Sequence, residues 1–302
     1  MNKLFLFSTL LVLSACGGGA DSSVPVSPTL SPPPPVIDDS EQPSTGEYLS
    51  NPSFSSIVTL DNRDPDARID YGEGDLQYGE LWLPRQNTEA TPLLIFVHGG
   101  CWSNQYRLDQ SYGFASEVAD NYGIAVWSLE YRSTGDVGGG WPGSYDDVVA
   151  ALGKLSSLRN YGVDTTRVVL AGHSAGGHLG LLAASQPEAS QLSAVIGLAS
   201  IVDFVAFAEG ASGCQRAARA FIGQSYSENP DAYNAANPVG RTLLPRVVLL
   251  HGGQDTIVPI AHPRGAGFDV IEISEAGHFD WLHPETRGFA RLLDELERLF
   301  SR

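Results

Sequence analysis

Val168-Val169-Leu170-Ala171 runs without a break into Gly172-His173-Ser174-Ala175-Gly176-Gly177, and Ala and Leu then dominate to Ala184. The first four residues are apolar and mostly β-branched or bulky, as a strand buried on both faces should be. The last part has helical composition. Between them stands G-x-S-x-G, where a serine is pushed out of a tight strand-to-helix turn that leaves no room for side chains at Gly172 and Gly176. The pattern predicts a nucleophile elbow, with the amide of Ala175 opening the helix where a developing oxyanion would sit.

Further short apolar runs lie at Leu93 to Val97, Ile124 to Leu129, Ala194 to Leu198, Val247 to Leu250 and Val270 to Ile273. Helical spacing appears between several of them, over Asp146 to Leu158, Ala175 to Ala184 and Pro284 to Phe300, the last with Phe289, Leu292, Leu293, Leu296 and Leu299 on one stripe. Strand and helix in alternation predict an α/β fold, a mostly parallel sheet with helices on both faces. Ala67 to Tyr71 and Gln77 to Leu83 are expected to add an antiparallel entry. Residues 203–240 hold Phe204, Phe207, Phe221, Tyr226 and Tyr233 without a strand pattern, and are expected to form a small helical cap.

A nucleophilic serine needs a base, and the base needs an orienting carboxylate. Downstream of Ser174, the run ending at Leu250 leads to His251-Gly252-Gly253-Gln254-Asp255, and the run ending at Ile273 leads to Glu275-Ala276-Gly277-His278. Both sit where ligands bind in parallel sheets, beyond the carboxyl ends of strands. Ser174, Asp255 and His278 are the expected catalytic set. Asp203 and Asp280 are rivals for the acid. His98, His173 and His178 are read as packing or hydrogen-bonding residues, and the seven histidines lack a ligand spacing that would hold a metal, so neither metal nor cofactor is expected.

From about residue 70 onward the chain resembles the α/β-hydrolase superfamily. His98-Gly99-Gly100-Cys101-Trp102 together with Gly172-His173-Ser174-Ala175-Gly176-Gly177-His178-Leu179 is similar to the carboxylesterase and arylformamidase branch related to hormone-sensitive lipase. The resemblance implies an oxyanion hole built from the N–H groups of Gly100, Cys101 and Ala175. It also implies hydrolysis of carboxylic esters through an acyl-enzyme on Ser174, with an arylformamidase acting on N-formylkynurenine as the alternative and, from another class, a catalytically idle binding module. One stretch departs from the pattern: Pro259 to Phe268, with Pro263, Gly265 and Gly267, stands where relatives carry a longer helix. Trp102 and Trp141 are expected to wall an aromatic substrate pocket, the alternative being that Trp141-Pro142 packs the start of the next helix.

The N-terminus carries Lys3, the apolar run Leu4 to Leu13, and Leu13-Ser14-Ala15-Cys16, which resembles the lipobox of bacterial lipoproteins. Residues 1–15 are therefore expected to be a signal peptide and Cys16 the lipidated start of the mature chain, an ordinary signal peptide being the alternative. Residues 16–50, with Pro32 to Pro35 at their centre, read as an unstructured tether, leaving 51–302 as the hydrolase domain. The expected location is the bacterial cell envelope, on the periplasmic or surface face of the outer membrane. With 18 basic against 35 acidic side chains the net charge is −17, which disfavours nucleic acid as a partner. Cys101 and Cys214 are the two other cysteines, and an oxidising compartment would allow them to pair, although sequence does not establish that they meet.

Overall fold

In the computed structural model, the described residues are 48–86 and 90–301. Cys16, the expected signal peptide and most of the expected tether lie outside them. The strands are β1 (Ala67–Asp70), β2 (Tyr78–Trp82), β3 (Thr91–Val97), β4 (Ala125–Leu129), β5 (Val163–His173), β6 (Ala194–Leu198), β7 (Arg246–Gly252) and β8 (Val270–Ile273). They form one sheet in the order β1-β2-β4-β3-β5-β6-β7-β8. β1 and β2 pair antiparallel and β2 joins β4 antiparallel, while every later pairing is parallel.

Side chains alternate across the sheet as the period of a strand requires. Leu93, Ile95 and Val97 of β3 enter one apolar cluster while Leu94 and Phe96 enter the other. The first cluster is completed by α3 (Gly143–Leu152) and α4 (Ala175–Ala183), the second by α2 (Tyr112–Tyr122) and α9 (Arg287–Phe300). Helices on both faces explain why the parallel strands are continuously apolar. On α9, Phe289, Leu292, Leu296 and Leu299 are buried, each contributing about 1.5–3 kcal/mol on leaving water.

Several boundaries differ from the sequence reading. The helical pattern over Asp146 to Leu158 is two elements, because α3 stops at Leu152 and a separate 3₁₀ stretch occupies Leu155–Tyr161. Helix α9 begins at Arg287 rather than in the turn after Pro284, since the Thr286 hydroxyl caps it by accepting from the Phe289 N–H. Helix α2 was not anticipated: its stripe rests on Phe114 and Val118 and is otherwise filled by Gly113, Ala115, Ser116 and Ala119, so its apolar signal is diluted. Before it lies the five-residue α1 (Phe54–Val58). Residues 203–240 carry α5 (Phe204–Ala208), α6 (Gly213–Ile222) and α7 (Pro230–Ala235). The Pro259 to Phe268 stretch does contain one helical turn, α8 (Ala261–Gly265), with Pro263 within its first turn where a missing N–H costs nothing.

Candidate active site

Ser174 follows the last residue of β5 and N-caps α4 with φ 54° and ψ −117°. A non-glycine residue in that region stores about 1–3 kcal/mol and persists only where its surroundings impose it. Here they do. A Cβ on Gly172 would meet the Gly176 carbonyl at 2.4 Å, and one on Gly176 would meet the carbonyl oxygens of Val97 and His98 at 2.2 and 2.3 Å, so only glycine permits this turn against the end of β3. The Ser174 N–H donates to the Leu198 carbonyl at 2.8 Å, tying the turn to β6.

Asp255 lies three residues beyond β7, and His278 five beyond β8. Three strand spacings separate β8 from β5, roughly 14 Å, so the His278 loop must fold back over the sheet end. Its anchors are visible. The Gln254 N–H donates to the Ala276 carbonyl at 2.8 Å, joining the two loops. His173, directly before the nucleophile, lies 2.9 Å through Nε2 from the His278 carbonyl, and the two imidazole centroids are 4.7 Å apart. A carbonyl only accepts, so His173 donates there, and burial drives its pKa down to about 3, with neighbouring His278 adding to the effect. His173 is thus neutral at neutral pH and pins the His278 loop to the strand that carries Ser174.

The Asp255 Oδ2 lies 2.7 Å from His278 Nδ1, while its Oδ1 accepts the N–H groups of Ile257 and Val258 at 2.9 and 2.8 Å. Burial pushes the Asp255 carboxyl up, but the hydrogen bond and charge of His278 and the Val258 N–H outweigh it and hold the group below the usual range. Since Nδ1 faces a carboxylate, it carries the proton, and Nε2 is left with a lone pair. His251 Nε2 donates to the Val258 carbonyl at 2.7 Å and lies 3.4 Å from Asp255 Oδ2. The rivals are occupied elsewhere. Asp203 caps α5 through the Ala206 N–H and accepts from Asn237, and Asp280 accepts from the Gly277 N–H.

The oxyanion motif is shaped by its carbonyls. His98 Nδ1 and Gln110 Nε2 both donate to the Gly99 oxygen, at 2.7 and 3.3 Å, and the Ser103 N–H donates to the Gly100 oxygen at 3.0 Å. In a trans peptide the N–H points opposite to the C=O, so these contacts fix the directions of the Gly100 and Cys101 N–H groups. Neither N–H has an acceptor among the described residues, and the Ala175 N–H belongs to the first turn of α4, where intrahelical partners are lacking. The motif abuts the nucleophile, since a Cβ on Gly99 would stand 3.2 Å from the Ser174 Cβ. Gln110 was missed by sequence reading, and nothing local to it points to this role.

Trp102 corrects the expected pocket. It is fully buried, its ring stacked on Phe221 at 5.2 Å and set edge-on to Phe204 at 5.4 Å, and its indole N–H donates to His178 Nδ1 at 3.1 Å. It faces the core, not an opening. Trp141 stacks on Tyr145 at 5.4 Å and its backbone N–H donates to the Phe221 carbonyl, packing the entry to α3 as in its alternative reading. A cavity of about 270 Å³ instead lies beside the oxyanion motif, lined by Phe54, Val58, Tyr106, Arg107 and Gln110 among others. Tyr106 packs against Gly100, and Phe54 lies 5.8 Å from Phe279, which borders His278. Cys101 and Cys214 are joined by a disulfide, with Cα atoms 5.2 Å apart.

Comparison with known proteins gives the same superfamily. The chain is 28% identical over 269 residues to Esterase LipC of Mycobacterium tuberculosis, covering 76% of this chain and 65% of that protein. It is 26% identical over 239 residues to a probable isoprenylcysteine alpha-carbonyl methylesterase, ICMEL1, of Oryza sativa, covering 67% of this chain and 52% of the other. The chain thus spans between about half and two thirds of the length of these relatives. Among solved structures, Esterase B from Lactobacillus rhamnosis superposes with a TM-score of 0.65 at 20% identity, over 82% of this chain and 90% of that one. The esterase of Pyrobaculum calidifontis gives 0.64 at 18%, over 82% and 88%. These likenesses show an α/β-hydrolase fold. The BD-FAE family model matches residues 80–265, which include the oxyanion motif, the elbow and Asp255, and the chain belongs to the BD-FAE family.

Proposed function

We propose that the chain is a serine hydrolase that cleaves carboxylic esters through an acyl-enzyme on Ser174. The carrying observation is the 2.7 Å contact between Asp255 and His278 Nδ1, which leaves Nε2 free to take a proton in a loop held by His173, the residue directly before a serine in a strained turn. In the first half-reaction the Ser174 Oγ attacks the ester carbonyl and its proton passes to His278 Nε2. The oxyanion is received by the N–H groups of Gly100, Cys101 and Ala175, each worth about 10²- to 10³-fold in rate. Collapse expels the alcohol, which takes the proton from His278, and water then hydrolyses the acyl-enzyme by the same path. The ionised Asp255 holds the tautomer and stabilises the imidazolium. One side of the ester enters the cavity next to Tyr106 and Phe54.

Ester rather than formamide is favoured because curated relatives are named esterases and a probable carboxylic ester hydrolase. The test pairs a fluorophosphonate label with a panel of p-nitrophenyl esters and N-formylkynurenine. Labelling of the wild type but not of Ser174→Ala, with ester turnover exceeding formamide turnover, is expected; an unlabelled wild type refutes the proposal. For the location, we infer export and acylation of Cys16, and the Cys101–Cys214 bridge supports an oxidising compartment. Palmitate incorporation that survives Cys16→Ser would refute this.

A further inference from the structure

Cys101, an oxyanion donor on the reading above, is bonded to Cys214 in the first turn of α6, 113 residues away. Gly100, Cys101 and Trp102 all have positive φ, at 114°, 51° and 57°. Glycine adopts such a backbone freely, but Cys and Trp resist it and need an outside restraint. Local hydrogen bonds supply part of that restraint, from the Ser103 N–H to the Gly100 oxygen and from the Thr134 N–H to the Trp102 oxygen. The rest comes from the cap. Cys101 is covalently tied to α6, and the next residue, Trp102, is clamped between Phe221 of α6 and Phe204 of α5. The Phe221 carbonyl is in turn held by the Trp141 N–H at 2.8 Å, so α6 cannot shift without disturbing the entry to α3. His178 of the nucleophile helix completes the group, accepting from Trp102 and lying 2.7 Å from the Ala236 carbonyl just past α7.

We propose that Cys214 is a positioning residue: through its bond to Cys101, helix α6 holds the oxyanion turn in the conformation that presents its N–H groups, so that the cap and the oxyanion hole form one mechanical piece. The inference rests on the esterase reading of the site. It distinguishes this cap from a lid, which would govern access and leave the chemistry untouched. Breaking the bridge should therefore lower kcat, because the donors are displaced in the transition state, while KM changes little.

The experiment measures kcat and KM for p-nitrophenyl acetate on wild type, Cys214→Ser and Cys101→Ser/Cys214→Ser, each expressed per serine titrated with a fluorophosphonate so that unfolded molecules are not counted. A loss in kcat on the order of 10- to 100-fold with KM within about twofold is expected, the scale of a donor misplaced by about 1 Å. Unchanged kcat per titrated serine, with only a lower Tm, would mean the bridge merely stabilises the cap and would overturn the proposal. A rise confined to KM would overturn it too, by making the cap a pocket wall. Should Cys214→Ser not fold, wild type reduced in its folded state by a water-soluble phosphine gives the same readout; the bridge takes up two electrons and two protons, and the phosphine becomes its oxide with oxygen from water. A wild type that neither labels nor hydrolyses esters sinks the esterase reading itself, whereas an active wild type with an equally active bridgeless form sinks this inference alone.

Discussion

Asp255→Asn separates orientation from packing at the heart of the site. The Asn amide oxygen can still accept the Ile257 and Val258 N–H groups, which lie 2.9 and 2.8 Å from Asp255 Oδ1, so the loop keeps its backbone contacts. The amide nitrogen then faces His278 Nδ1, 2.7 Å from the present Oδ2, and two donors cannot share that contact. The imidazole therefore moves its proton to Nε2. That places N–H where a lone pair is needed, and the ring no longer accepts the Ser174 proton. Loss of about 10⁴ in kcat is expected, the scale seen when a triad aspartate elsewhere is so changed, which is about 5.4 kcal/mol of transition-state stabilisation. Asp255→Ala should behave differently in stability, because the buried Val258 N–H loses its acceptor at about 1–3 kcal/mol and the half-buried Ile257 N–H loses its acceptor too. The assay is kcat for p-nitrophenyl acetate beside urea unfolding of both variants. Should Asp255→Asn remain folded with kcat within tenfold of wild type, the ring is oriented by something else and the assignment of the acid fails.

Gly176→Ala should cost activity and at least about 1–3 kcal/mol, because its methyl would fall 2.2 Å from the Val97 carbonyl and force apart the elbow and the oxyanion strand; a folded variant of full activity would contradict the turn geometry. Trp102→Ala should lower stability by about 3–5 kcal/mol while leaving the ratio of kcat/KM between acetyl and aromatic esters unchanged, since the ring faces the core; a shifted ratio would restore it to the pocket. Phe54→Ala should raise the kcat/KM ratio of hexanoate to acetate esters by about 10-fold by enlarging the cavity beside Tyr106, and an unchanged ratio would exclude that cavity as the substrate pocket. Burial holds His173 and His178 near 3, below the ordinary 6.5, so the unfolded chain takes up protons first and stability falls as pH drops from about 6.5 towards 3, by up to about 1.4 kcal/mol per pH unit for each ring. A urea midpoint that does not move between pH 7 and 4.5 would refute that.

Much of the fold was legible because each buried strand carries its own signal. Leu93 to Val97 and Ala194 to Leu198 are apolar at every position, since helices cover both faces, and they appear as β3 and β6 with ends shifted by at most two residues. Helix α9 was legible from its stripe, whereas α2 packs largely through Ala and Ser and offers too little apolar contrast to be read. The start of α9 turned on the Thr286 cap. Such ends depend on one hydrogen bond or one residue rather than on a period, and periodicity does not locate them.

The same division runs through the site. Ser174, Asp255 and His278 each follow a readable strand, so their placement needs only the chain nearby and the rule that parallel strands end on one side. The residues that aim them answer to partners far away: Cys101 to Cys214, Trp102 to Phe221, His173 to the His278 carbonyl across 105 residues, and Gln110 to the Gly99 carbonyl from a neighbouring turn. A tryptophan beside an oxyanion motif looks like a pocket wall until the helix that buries it is in place. Two of these pairings join the oxyanion turn to α6, a segment whose sequence carried no strand or nucleophile signal, and one joins the His278 loop to the strand that carries Ser174. The chemistry is written in local motifs, and the precision that chemistry needs is supplied by long-range contacts, so substitutions in the cap should reach kcat as well as substrate choice.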